Sequence, residues 1–136
     1  MNNCEIKCKG ENAILQKLTI MEAEKICKLL PKFKTFKDVE NGYKTFQKIK
    51  SSLPYKKYNT CMKKMCGVID YKKDLKFISS TVKFIISMIP ANKIKECVYW
   101  NDIETNINKL VNIKEPNEDD LIKLSYYIII LGCLIK

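Results

Sequence analysis

"YKKDLKFISSTVKFIISMIP", residues 71–90, is the stretch whose reading decides the fold. Leu75, Ile78, Val82, Ile85 and Ile89 recur at steps of three and four, the period of one helix face. Phe77, Phe84 and Met88 make a second stripe, and charge is confined to the start of the segment and to Lys83. Asp70 stands where an N-cap is needed, and Pro90 stops the pattern. A helix apolar on two faces belongs inside a bundle. The expectation is therefore an all-α fold with a central apolar helix near 71–89. Its apolar half, 77–89, falls short of the about 20 residues that span a bilayer.

The segments on either side read as further helices. In "LTIMEAEKICKLLPKF", Thr19 and Glu22 have the spacing of a capping box with Leu18 and Ala23 as its staple, and Pro31 closes the run. Phe36, Val39, Tyr43, Phe46, Ile49 and Leu53 make one apolar face after a start at Thr35. Gly42 inside that helix costs about 1 kcal/mol relative to alanine, which asks for a packing reason. Ser52 and Pro54 then open "PYKKYNTCMKKM", where Tyr55, Tyr58, Met62, Met65 and Ile69 share a face. Lys56 and Lys57, with Lys63 and Lys64 seven residues on, form its basic, solvated face. "ANKIKECVYWNDIETNINKLVNI" reads as one helix or two, re-capped at Asn101 or Asp102. The last helix starts at Asn117 with three acids in its first turn, where the helix dipole favours them. Its apolar run, 124–135, is short for a membrane anchor, so burial is the preferred reading and membrane contact the alternative.

Composition agrees. The 136 residues suit one domain around one core, with residues 1–12 as a flexible polar tail. Gly and Pro total eight, so long uninterrupted segments prevail. A compact bundle of about six or seven helices follows. Without histidine the chain lacks a side chain that ordinarily titrates near neutrality, and Ser-His or Cys-His nucleophile pairs are impossible within it. No carboxylate pair is tied to a nucleophile, a Gly-rich loop or a metal motif, so neither an enzyme nor a cofactor or metal is expected.

All 25 basic residues are lysine, and the net charge is +10. Residues 32–95 hold 16 lysines against four acids, while 96–136 hold four against seven. Excess lysine, isoleucine and asparagine also fits an AT-rich genome, a bland source of the same bias. Lacking arginine's planar fork, the chain is not expected to read nucleic acid by sequence. Seven cysteines, at 4, 8, 27, 61, 66, 97 and 133, match no zinc-knuckle spacing, and the opening "MNNCEIKCKGEN" has no signal-peptide run. Reduced, intracellular thiols are the expectation. Tyr99 and Trp100 are the candidate partner anchors, because aromatic side chains dominate interface energetics; core packing is the competing reading.

Residues 36–89 resemble the middle of the poxviral Bcl-2-like proteins, small virulence factors that antagonise host innate signalling. The resemblance is carried by an acid-containing amphipathic helix running into Leu53-Pro54-Tyr55, a short helix around Cys61, a polar turn, and Ile78-Ser79 ahead of an apolar half. It implies a Bcl-2-like, non-enzymatic protein of the host cell cytoplasm. Such a protein binds host signalling proteins, alone or as a homodimer, and inhibits activation of NF-κB and interferon-regulatory factors. An anti-apoptotic relative holding death-agonist helices in a groove is one alternative; "VYWND" at 98–102 lacks the Trp-Gly signature of that branch. A lysine-rich binder of nucleic acid or acidic lipid is the other, although neither nucleic acid nor membrane is the expected partner.

Overall fold

Each proline among the described residues marks a helix boundary. Pro31 lies in the 3-10 turn Leu30–Lys32 that ends α1, whose described residues are 24–29. Pro54 opens α3 (Pro54–Met65) after α2 (Phe36–Lys48), where a missing N–H costs nothing. Pro90 separates α4 (Tyr71–Met88) from α5 (Ala91–Glu96), and Pro116 precedes α7 (Glu118–Ile135), which follows α6 (Trp100–Val111). The computed structural model describes residues 8, 24–48, 54–67 and 70–135, and within 54–59 the backbone alone. Among these residues there is no strand, and the fold is the all-α bundle that the periodicity predicts.

The helix starts are chemical. Asp70 caps α4, its carboxylate accepting from the Lys73 N–H at 3.1 Å. At α7, Asn117 Oδ1 accepts from the Asp120 N–H at 2.9 Å while Asp120 Oδ2 accepts from the Asn117 N–H at 3.0 Å, a reciprocal box. Asp38, in the first turn of α2, does similar work. It accepts from the N–H groups of Lys34 and Thr35, and these bonds hold its carboxyl below the usual carboxylate range. Gly67, at φ +74°, closes α3 in the left-handed region, its N–H reaching the Met62 carbonyl at 3.0 Å. The stretch 91–113 forms two helices, but the break falls at 97–99, ahead of the expected re-capping at Asn101 or Asp102. The expected caps at Thr19 and Ser52 lie outside the described residues.

The helix at the centre is α7. Leu121, Ile122, Leu124, Tyr126, Tyr127, Ile130 and Leu131 are buried and point in every direction around its axis. Helices α2 to α6 all pack against it, α4 most extensively. That corrects the expectation of a central helix at 71–89. Only one stripe of α4 (Leu75, Ile78, Val82) enters the core, while Phe77, Phe84 and Met88 face solvent. The physical reason lies in composition: α7 carries no charge after Lys123, so no face of its C-terminal half is suited to water. No helix among the described residues is long and apolar enough to cross a membrane.

Tyr126 locks α7 onto α2. Its hydroxyl donates to the Val39 carbonyl at 2.6 Å in a buried site, and its ring packs on Phe46 and Tyr43 with centroids 5.1 and 5.3 Å away. This supplies the reason for Gly42. A Cβ there would stand 2.6 Å from the Tyr126 hydroxyl and 2.7 Å from Phe33 Cζ, so only glycine admits both rings.

The cysteines overturn the expectation of reduced thiols. Cys8–Cys61 and Cys27–Cys133 are disulfides with Cα atoms 5.6 and 5.4 Å apart, and Cys66 is also disulfide-bonded. Among the described residues Cys97 alone is free. Partners 53 and 106 residues apart leave no local spacing to read. Only the packing of α1 beside the end of α7 brings Cys27 to Cys133.

Two outcomes follow for stability. Gly42→Ala should destabilise the fold by about 1–3 kcal/mol through overpacking, against the gain of about 1 kcal/mol that helix propensity alone would bring; urea denaturation reads the sign. Replacing both Cys27 and Cys133 by serine should remove about 4.7 kcal/mol, the loop-entropy contribution of a cross-link spanning a loop of that length, seen as a lower urea midpoint.

Candidate functional site

The sequence-predicted anchors are not at the surface. Tyr99 and Trp100 are 7% and 8% exposed and belong to the core cluster. Tyr99 packs edge-on against Phe33 at 6.5 Å, and the Trp100 indole N–H donates to Glu104 Oε2 at 3.1 Å, one helical turn on. With its one donor satisfied, the indole is a core side chain. Core packing is thus the reading that holds for both residues.

The basic face divides. Lys63 and Lys64 are exposed, and Lys63 pairs with Glu118 at the start of α7 at 3.3 Å, a contact that raises the lysine pKa. This joins α3 to the acidic first turn of α7; a surface pair of this kind contributes little to stability. The side chains of Lys56 and Lys57 lie outside the described residues. Cys97, the free thiol, is half-buried, and burial pushes its pKa up, away from nucleophilic chemistry. No group of three or more metal-ligating side chains occurs among the described residues.

The surface that stands out is the outer side of α4. Phe77, Phe84 and Met88 are 75%, 65% and 50% exposed, and their seven- and four-residue spacing sets them on one ridge. Lys72, Lys76 and Lys83 are exposed along one flank of this ridge, and Lys73, one turn before Phe77, is exposed at its N-terminal end. The hydroxyls of Ser80, Thr81 and Ser87 turn back to α4's own carbonyls at Lys76, Phe77 and Phe84, so the face holds its polar groups satisfied. Beyond the lysines, an open cleft of about 390 Å³ runs between α4 and the end of α6, floored by Leu75, Val111 and Ile113 and rimmed by Lys72, Lys76 and Lys83. Ser79 lines it, and its buried hydroxyl has no partner among the described residues. At one end Lys72 pairs with Glu115 at 3.1 Å, both largely exposed.

Sequence reasoning identified the second stripe of α4 but assigned it to the core. No local signal separates the two stripes: Phe77 and Phe84 follow Lys76 and Lys83, but Val82 also adjoins Lys83 and Leu75 lies between Asp74 and Lys76. No family model, curated protein or solved structure matches the chain.

The buried tyrosines make the core sensitive to alkali. Burial pushes Tyr99 and Tyr127 from 10.0 up to about 12, with Cys97 adding to the first and Glu40 to the second. Burial raises Tyr126 further still. Each folded-state pKa exceeds the unfolded one, so the folded chain keeps protons that the unfolded chain releases. Their contribution is whole below pH 10 and is lost as pH rises through about 12, by about 1.4 kcal/mol per pH unit per tyrosine. Urea midpoints should therefore fall across this window with tyrosinate absorbance rising in the same transition, and Tyr127→Phe should flatten the slope.

Proposed function

We propose that this chain is a non-enzymatic, Bcl-2-like viral protein that binds host signalling proteins and lowers activation of NF-κB and interferon-regulatory factors. The observation that supports the reading is the order and jointing of α2, α3 and α4. Residues 36–48, 54–65 and 71–88 are helical in the order the resemblance expects, with Pro54 at the first position of α3, Cys61 within it and the Ile78-Ser79 pair on α4. Binding by helix faces needs no catalytic group. With Tyr99 and Trp100 buried, the contact falls to exposed helix faces such as that of α3 with Lys63 and Lys64.

The host cytoplasm is the proposed place of action, as the resemblance implies. The disulfides favour an oxidising compartment, where such bonds persist. Cell fractionation separates the two. Full-length protein in the cytosolic fraction supports the cytoplasm, and protein confined to secretory compartments or medium overturns it.

The function is tested by co-precipitation from stimulated host cells together with an NF-κB reporter. Recovery of a signalling protein and a reporter response reduced severalfold are expected. A normal response with no signalling protein recovered overturns the proposal.

A further inference from the structure

The outer face of α4 combines three features that a solvated helix does not need. It carries a ridge of bare apolar side chains, Phe77, Phe84 and Met88. It carries a row of lysines on one flank, Lys72, Lys76 and Lys83, with Lys73 at the N-terminal end of the ridge itself. And beside that row lies the cleft, with room for a small polar group next to three ammonium groups. Asp74 is the one acid of α4, and it has an interaction partner of its own.

We propose that this face docks on an anionic bilayer surface, with Phe77, Phe84 and Met88 entering the headgroup and acyl boundary while Lys73, Lys76 and Lys83 meet lipid phosphates. The cleft gives one headgroup a place between Lys76 and Lys83. The inference goes beyond the proposed function and does not depend on it. No helix among the described residues is long and apolar enough to cross a membrane, but interfacial contact needs only an apolar strip bordered by cations.

Charge and shape select the occupant. A second copy of the chain would set one lysine row against another and is disfavoured by like charge. Protein hot spots sit in packed, concave surroundings, whereas this ridge projects and offers no wall; a fluid bilayer closes around it. The row is built from lysine alone, in a chain with no arginine. Lysine is a point charge on a flexible stem that suits a diffuse anionic surface better than the bidentate capture of a carboxylate.

The test is co-sedimentation of the full chain with phosphatidylcholine vesicles and with vesicles containing about 30% phosphatidylserine, where each lysine near the surface adds about fivefold to partitioning. Binding is expected to the anionic vesicles alone. It should drop about tenfold or more in Phe77→Asp/Phe84→Asp and in Lys76→Glu/Lys83→Glu. These positions are exposed, so thermal melts of the variants should match the parent. Phe84→Trp adds a direct readout, a blue shift of its emission on anionic vesicles. Salt-sensitive binding that survives the Phe77→Asp/Phe84→Asp change overturns the proposal, because the ridge then takes no part. Absent vesicle binding also overturns it, as does a ridge that captures a protein while leaving vesicles alone.

Discussion

The structure depends on one constraint: the C-terminal half of α7 has no face fit for water. After Lys123 the helix runs without charge to its end, and its buried residues lie all around the axis. Removing such side chains from water is worth about 1.5–3 kcal/mol each, so the other helices are held around it. Helices α2 to α6 pack on it directly, and α1 is tied to it by Cys27–Cys133. The reciprocal box between Asn117 and Asp120 fixes where this helix begins, and the Tyr126 bond to the Val39 carbonyl fixes its height against α2.

What α7 takes, α4 gives up. One helix fills the middle, so a second helix apolar on two sides can bury only one of them. The Leu75, Ile78 and Val82 stripe meets the core, and the Phe77, Phe84 and Met88 stripe is left outside beside a lysine row and a cleft. The exposed ridge is thus a consequence of packing order rather than a local oddity. It gives the chain its most distinctive surface, whereas Tyr99 and Trp100, the most obvious aromatic pair in the sequence, are spent on the core.

Much of the fold was legible residue by residue. The caps at Asp70 and Asn117, the boundaries at Pro31, Pro54 and Pro90, and the buried faces through Val39 and Phe46 all follow from local rules of spacing and hydrogen bonding. Gly42 could be recognised as an anomaly but not explained, because the groups that require it, Tyr126 and Phe33, come from other parts of the chain. The candidate surface was half legible. Its residues could be picked out as a stripe, but period alone does not say which of two stripes faces inward.

By itself the sequence determined which segments are helical, the starts at Asp70 and Asn117, which faces are apolar, and that histidine and arginine chemistry are absent. These properties are set within a few residues by caps, prolines and the 3.6-residue period. Only the tertiary structure decided which helix occupies the centre, which stripe of α4 meets water, why Gly42 has no side chain and which cysteines join. Each of those is settled between groups far apart in the chain, where competition for one buried volume, and not local preference, sets the outcome.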